Sequence, residues 1–447
     1  MFESLLIANR GEIAVRIIRT AQRLGIRTIA VYSEADADAM HVQIADEAVG
    51  IGPAPIHLSY ARSERILEAA LATGAEAIHP GYGLLSESSE FARAVKNAGL
   101  VFVGPTPETI EAMGDKVNAR SLMAARGVPI AHGSKTPPAT TEEALEQAQL
   151  IGYPLMLKAA AGGGGIGMAA IKGPEQLVAA FETASERASR VFGSHKLLLE
   201  KLIMPARHIE VQILGLTDGS VIALGERDCS VQRRFQKVVE ETPACGLDEE
   251  QREAIHRAAV RAGEAIGYQG AGTVEFLVNA ENGEFAFLEM NTRLQVEHPI
   301  TELVTGLDLV ELQLRIAAEE QLDITEAAPN GHAIEFRLYA EDPVRMLPSP
   351  GRIDELFVPR HDWLRVDAGY KAGDEVTPFY DPLVAKICVW GETRAEALDR
   401  ANTALAEIAV NPLLTNLPLL HSIACSTAFV AGSYDTGLLS SGEIAPL

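Results

Sequence analysis

Five polar side chains recur at every second position of one short stretch, Glu289, Asn291, Arg293, Gln295 and Glu297, separated by Met290, Thr292, Leu294 and Val296. A strand puts alternate residues on one face, so all five would share a surface. Fully extended they would spread over roughly 26 Å at about 3.3 Å per residue, too far for one reacting centre. The chain must therefore bend after about Asn291, leaving a cation-binding end and a substrate-binding end. Residues 272–278 read as a preceding strand, joined through the turn-forming Asn279, Asn282 and Gly283. If this hairpin sets Glu275 opposite Glu289, two carboxylates lie on one face within roughly 5 Å of each other. Unneutralised, the pair is repulsive and asks for a cation, and Mg²⁺ held by one or two carboxylates plus ATP phosphates is the natural candidate. In a different register the acids are solvated.

Residues 161–167 read Ala-Gly-Gly-Gly-Gly-Ile-Gly behind a strand ending in Lys158. Glycines let backbone N–H groups approach an anion closely, which suits a mobile cover over phosphates, although a flexible linker has the same composition. This is not a Walker A loop, because no Gly-Lys-Ser/Thr follows and the lysine precedes the glycines. Lys116, Lys201, His208 and Lys237, taken singly, read as solvated surface groups. They recur beside other candidates, however: Lys116 follows Met113, Gly114 and Asp115, Lys201 follows Glu200 at a strand end, and Lys237 closes the polar run from Gln232.

The elements that must position these groups begin with a strand at residues 5–8, a turn at 9–12 and a helix whose Ile13, Ile17, Ile18, Ala21 and Leu24 share one face. Further strands at 28–32, 77–79 and 100–103 alternate with helices, which argues for a parallel, doubly wound first domain of about 110 residues. A dinucleotide site in the first turn is excluded by its single glycine, Gly11, where that fingerprint needs three. Residues 133–143, rich in Pro, Thr and Ser, connect into a small subdomain with strands at 155–158 and 196–199 and a helix near 175–190. From about residue 331 short strands mix with a helix around 394–408.

With 38 basic against 61 acidic residues the formal charge is −23. No basic cluster stands out, so nucleic acid and anionic membranes are unsuitable partners, while a local positive cleft remains compatible with an anionic substrate. The four cysteines, Cys229, Cys245, Cys388 and Cys425, form no CxxC pair and read as reduced thiols. No segment near the N-terminus is long and apolar enough for a signal or span, and a cytoplasmic protein is expected.

Taken together, residues 7–19 (IANRGEIAVRIIR), 79–83 (HPGYG), 113–116 (MGDK), 162–165 (GGGG), 225–234 (GERDCSVQRR), 289–302 (EMNTRLQVEHPITE), 335–343 (EFRLYAEDP) and 347–351 (LPSPG) resemble the biotin carboxylase family over nearly the whole chain. The resemblance implies an α/β and α+β fold in three parts: an N-terminal doubly wound parallel sheet over 1–113, a central ATP-grasp over 114–330 with a mobile glycine-rich lid at about 131–203, and a C-terminal mixed α+β domain over 331–447. It implies that Lys116, Lys158, His208 and the glycines Gly163, Gly164 and Gly165 hold ATP phosphates, that Glu200, Lys201 and the backbone at Ile203 meet the adenine, and that Gln232 assists with the nucleotide. Glu275 and Glu289, which also face ATP, would hold Mg²⁺ (or Mn²⁺, two ions) with Asn291. Lys237, Arg293, Gln295 and the Val296 N–H would bind bicarbonate. Glu297 would be the general base, and Arg337 with Tyr82 would receive biotin, Arg337 stabilising its enolate.

The activity so implied is the first half-reaction of an acyl-CoA carboxylase such as acetyl-CoA carboxylase of fatty acid biosynthesis, with residues 367–386 leaning toward the acyl-CoA group. No Met-Lys-Met attachment sequence occurs, so biotin is expected on a separate biotin carboxyl carrier protein unless the chain is a module of a longer one. A carboxyltransferase subunit and a homodimer are the other expected partners. Three positions depart from the family pattern: Ile166 and Ala169 where relatives often carry basic residues, and Phe235 where His or Asn is common. They are the only support for a catalytically silent nucleotide-binding paralogue. Another ATP-grasp ligase would have no reason to combine Arg293, Gln295, Glu297 and Arg337.

Overall fold

The computed structural model describes residues 1–160, 168–324, 328–442 and 444, with Phe192 described by its backbone alone. The glycine loop, with Gly163, Gly164, Gly165 and Ile166, lies outside the described residues.

The N-terminal part is a five-stranded parallel sheet in the order Glu47–Gly52, Arg27–Ser33, Ser4–Ile7, Ala77–His79, Val101–Phe102. The strand Ser4–Ile7 is buried throughout, and the helix Gly11–Arg23 buries Ile13, Ile17, Ile18 and Ala21 on the face its spacing predicts. Strand order reverses beside Ser4–Ile7, so the turn after that strand meets the turn after Ala77–His79, the usual crevice of such sheets. Asn9 ties the two, its Nδ2 donating to the carbonyls of Pro80 (2.7 Å) and Tyr82 (2.8 Å). Gly81 has φ +63° and a Cβ there would stand 2.8 Å from Asn9 Nδ2, so this contact requires glycine. The result is that Glu12 and Tyr82 face each other across the crevice, with Tyr82 Oη donating to Glu12 Oε1.

The largest sheet has eight antiparallel strands in the order Phe285–Asn291, Gly270–Asn279, Ala206–Gly215, Val221–Arg233, Gln236–Thr242, His332–Tyr339, Leu383–Gly391, Leu364–Ala368. It runs without interruption across the expected boundary at residues 330/331. All ten residues of Ala206–Gly215 are buried, yet they alternate in character. Ile209, Val211 and Ile213 pack on Ile255, Ala258 and Ala262 of the helix Glu249–Glu264, while His208, Glu210 and Gln212 point to the opposite face. The strand His332–Tyr339 repeats the pattern, with Ile334, Phe336 and Leu338 in a core with the helix Arg394–Glu407 and with Glu335 and Arg337 on the other side. Two-sided burial with polar residues on one side marks a sheet face kept for chemistry, since ionised groups stay buried only when paired.

The small subdomain is a three-stranded antiparallel sheet, Ala169–Ile171, Leu155–Ala159 and Leu197–Lys201, backed by the helices Thr141–Ile151 and Pro174–Phe192. The connection expected over 133–143 is therefore shorter than the sequence suggests. Thr140 accepts a hydrogen bond from the Glu143 N–H and starts a helix inside it.

Candidate active site

The hairpin register is the one that places acids side by side: Glu275 pairs with Glu289, and Glu210 pairs with both Arg227 and Glu275. A row Arg227, Glu210, Glu275, Glu289 thus crosses four strands. The bend comes where expected, the strand Phe285–Asn291 ending at Asn291 and the helix His298–Thr305 beginning after Glu297. The turn between them brings Gln295 back to Glu275, with Nε2 donating to Oε1 at 3.0 Å.

Lys237 is the centre of this face. Its Nζ lies 2.5 Å from Glu210 Oε2, 3.0 Å from Glu275 Oε1 and 2.6 Å from Glu297 Oε1. The cation that a lone Glu275–Glu289 pair would demand is therefore supplied in part by the protein, a correction to the unneutralised pair read from sequence. Glu275 further accepts from Asn291 Nδ2 at 2.8 Å and from His208 Nε2 at 2.8 Å, while Gln232 Nε2 meets His208 Nδ1 at 2.6 Å. Burial works to lower the His208 pKa, but the adjacent Glu275 outweighs it and the pKa is raised.

Glu297 is held by both oxygens: Oε1 takes Lys237, and Oε2 takes Arg337 Nη2 at 2.9 Å. Burial alone would push its pKa up, but Lys237, Arg337 and Arg227 together hold it well below the usual carboxylate range. Arg337 also ion-pairs with Glu240 and has Glu335 Oε1 4.0 Å from its Nε. Burial drives Glu240 up to about 7 against the pull of Arg337, and Glu335 rises well above its ordinary value for the same first reason.

Arg293 spans the bend. Its Nη2 donates to Asn291 Oδ1 at 2.9 Å, its Nη1 to Gln295 Oε1 at 2.9 Å and its Nε to Glu87 Oε2 at 3.0 Å. Lys116 Nζ stands 3.4 Å from Glu289 Oε2. Farther along, Lys158, Glu200, Lys201 and Ile203 line one apolar-walled pocket with Met156, Leu277, Phe287 and Leu288. There Glu200 pairs with Lys158 and with Arg120 Nη1 at 2.5 Å, and Lys201 Nζ donates to the carbonyls of Gly152 (3.1 Å) and Tyr153 (2.8 Å). Lys158 thus lies at the pocket expected for adenine, paired with an acid of that pocket.

For a divalent cation, the tight donor groups among the described residues are His208, Glu210, Glu275 and Glu210, Cys229, Glu297, each with ligand atoms within 4.8 Å of one another. Neither includes Glu289 or Asn291, whose Oδ1 is taken by Arg293. Glu275 and Glu289 nevertheless fit Mg²⁺. They are register partners, and the Glu289 side chain is 29% exposed with only the 3.4 Å lysine pair among the described residues. One or two carboxylates completed by phosphate oxygens is the ligand set Mg²⁺ takes.

Several residues here were not singled out from sequence. Glu210 and Arg227 lie on the alternating strands just described, so a two-sided burial pattern is their signal. Glu335 is an acid and Lys386 a lysine inside largely apolar strands, while Glu240 follows Val238 and Val239 in a polar one; each is fully buried. Glu87 has no local signal, because only the crossing of two domains brings it to Arg293. Arg227 donates from Nε to Glu210 Oε1 (2.5 Å), and from its other nitrogens to Gln212, Thr301 and Thr273. Arg227→Met is expected to cost about 3–5 kcal/mol in urea unfolding, because it leaves Glu210 buried with one cation fewer. A loss below about 1 kcal/mol would mean that Lys237 alone neutralises Glu210.

Phe235 sits with φ +68° at the tip of the hairpin closed by Arg233 and Gln236, and is 53% exposed. Its side chain is turned to solvent, and Ala169 lies in the short strand Ala169–Ile171 of the small subdomain.

Known proteins resemble the chain along nearly its whole length. The model of the biotin carboxylase N-terminal domain matches residues 1–110, that of the carbamoyl-phosphate synthase L chain ATP-binding domain residues 115–325, and that of the biotin carboxylase C-terminal domain residues 335–441. The biotin carboxylase of Halalkalibacterium halodurans is 52% identical over 442 residues, covering 98% of each chain. Biotin carboxylase 2 of Bacillus subtilis is 52% identical over 98% of this chain and 99% of its own. Among solved structures, the Campylobacter jejuni biotin carboxylase in complex with β-γ-ATP superposes with a TM-score of 0.97 at 42% identity, covering 99% of both chains. The biotin carboxylase domain dimer of Hydrogenobacter thermophilus 2-oxoglutarate carboxylase, with MgADP, ADP and bicarbonate, gives 0.95 at 46% identity over 99% of this chain and 98% of that one. With full-length relatives above half identity and all three family models matched in order, the chain belongs to the biotin carboxylase family.

Proposed function

We propose that the chain uses ATP and bicarbonate to carboxylate biotin, delivered on a biotin carboxyl carrier protein, as the first half-reaction of an acyl-CoA carboxylase. The observation that carries this reading is the convergence of Lys237 and Arg337 on the two oxygens of Glu297, at 2.6 and 2.9 Å. Bicarbonate is a poor electrophile. Activating it requires a base to remove its proton while its oxygen attacks the γ-phosphoryl group, giving carboxyphosphate and ADP.

Glu297 is that base. Lys237 and Arg337, while they point to it, keep it weakly basic. Substrate anions draw the same partners, bicarbonate taking Lys237, Arg293, Gln295 and the Val296 N–H, and biotin taking Arg337. As those hydrogen bonds turn to substrate, Glu297 regains basicity at the moment a proton must be moved. Lys116, His208 and, once turned from its pair with Glu200, Lys158 hold the phosphates, with the glycines Gly163, Gly164 and Gly165 assigned there by the family resemblance; Glu200, Lys201 and Ile203 hold the adenine, with Gln232 fixing the His208 ring. Glu275 and Glu289, with Asn291 nearby, would hold Mg²⁺, whose charge neutralises the phosphate oxygens during transfer. Carboxyphosphate then yields CO₂ and phosphate. Phosphate takes the proton of the biotin ureido nitrogen, Arg337, with Tyr82, holds the resulting oxyanion, and the nitrogen attacks the CO₂ to give carboxybiotin.

A homodimer, a carboxyltransferase subunit as the next partner and a cytoplasmic location complete the proposal. The dimer of the Hydrogenobacter relative supports the first. No helix of the described residues is long and apolar enough to cross a membrane. A silent paralogue is disfavoured, because Phe235 leaves the site intact and every acid and cation of the Lys237 cluster is present. The direct test is ADP release with Mg-ATP and free biotin, with and without bicarbonate, alongside trapping of labelled carboxybiotin. Bicarbonate-dependent ADP release with labelled product is expected; nucleotide binding with neither signal overturns the reading.

A further inference from the structure

Lys386 is fully buried on the strand Leu383–Gly391, directly opposite Arg337 in the register, and so shares the face that carries Glu335 and Arg337. It reaches past that face. Its Nζ donates to the Val296 carbonyl at 2.9 Å and stands 3.0 Å from Glu12 Oε2. Glu12, itself 4% exposed, uses its other oxygen to accept from Tyr82 Oη. One unbroken chain of contacts, Tyr82, Glu12, Lys386, Val296, therefore runs from the N-terminal crevice through the last sheet strands into the turn before Glu297.

Its place in the fold is telling. Glu12 and Tyr82 belong to the N-terminal part, Lys386 to the C-terminal strands, and Val296 to the turn between the strand Phe285–Asn291 and the helix His298–Thr305, which carries the acid-base residue. The Val296 carbonyl belongs to the peptide unit that enters Glu297, so the lysine sets the backbone from which that carboxylate reaches Lys237 and Arg337. A buried ammonium is retained only where its charge is matched. Burial pulls the Lys386 pKa down, and Glu12, Glu335 and Asp367 outweigh it, so the pKa is raised and the group stays charged.

We propose that Lys386 and Glu12 form a positioning pair that holds the biotin side of the site, at Tyr82, in register with the bicarbonate side, at Val296 and Glu297. The pair touches no substrate. It rests on the carboxylase reading above and adds to it the device that keeps the two half-sites at one spacing. Carboxyphosphate made at one must be consumed at the other, and a loosened spacing lets water return it to bicarbonate and phosphate. The defect expected is thus uncoupling rather than loss of nucleotide handling.

The test measures carboxybiotin formed per ADP released in the purified full chain, for the unaltered protein, Lys386→Met, Glu12→Gln and the double variant. In each single variant the ratio is expected to fall about tenfold and the bicarbonate KM to rise by a similar factor, as misplacement of reacting groups commonly does, with ATP KM within about twofold. The double variant is expected to be no worse than Lys386→Met, because both substitutions cut one chain of contacts. Glu12→Gln keeps the side-chain shape and gives the same reading should Lys386→Met fail to fold. A ratio unchanged in Glu12→Gln while total activity falls overturns the proposal, since a purely structural role lowers both products together. An unaltered protein with no bicarbonate-dependent ADP release would instead overturn the carboxylase reading itself.

Discussion

In Glu297→Gln, bicarbonate-dependent ADP release is expected to fall by about 10³-fold, within the range that a positioned general base contributes, while ATP binding stays within about threefold. Glutamine has nearly the volume of glutamate and leaves the pocket proposed for the nucleotide, lined by Lys158, Glu200 and Ile203, untouched. It removes the two features the site is built around: a proton acceptor, and a charge shared by Lys237 at 2.6 Å and Arg337 at 2.9 Å. An amide in that place also turns an N–H toward one of two cations. Steady-state ADP release and equilibrium ATP binding on the same preparation separate the effects. Unchanged turnover would remove Glu297 as the base.

The second large effect is expected in Arg337→Met, where biotin carboxylation falls by about 10²–10³-fold, the loss typical of removing one donor to a developing oxyanion. Bicarbonate-dependent ATP cleavage measured without biotin is expected to fall by no more than about tenfold, through the lost contact with Glu297. The two activities part because Arg337 lies on the strand His332–Tyr339, away from the hairpin with Glu275 and Glu289, and meets the bicarbonate end only through Glu297. Methionine preserves the unbranched stem in a site where Arg337 is 7% exposed, so packing changes little. Equal losses in both reactions would sink the assignment of Arg337 to biotin.

Glu297 lies in a stretch whose alternation is legible locally, whereas its role as base, and Arg337 altogether, came only from the resemblance to the biotin carboxylase family. Alternation from Glu289 to Glu297, together with the impossibility of one extended strand serving one reaction, required a bend, and the strand does end at Asn291. The Glu275–Glu289 register was one of the pairings the turn residues allowed, and the structure adopts it. Helix and strand periods located the parallel sheet and the helix of Ile13, Ile17 and Ile18 for the same reason, since backbone geometry maps directly onto sequence spacing.

What spacing could not carry was everything that depends on charges meeting across domains. Glu87 reaches Arg293 over more than 200 residues, Lys237 neutralises two acids from two other strands and a third, Glu297, from a turn, and Lys386 joins Glu12 to Val296. Read singly, Glu87 and Lys237 are ordinary surface residues, and Lys386 stands out only as a lysine in an otherwise apolar strand. The sequence by itself determined the elements, the acidic hairpin and its bend, because those follow from period and turn chemistry over short spans. Only the tertiary structure decided which cation answers which acid, because the energy of a buried charge depends on every neighbour within a few ångströms and those neighbours come from distant parts of the chain.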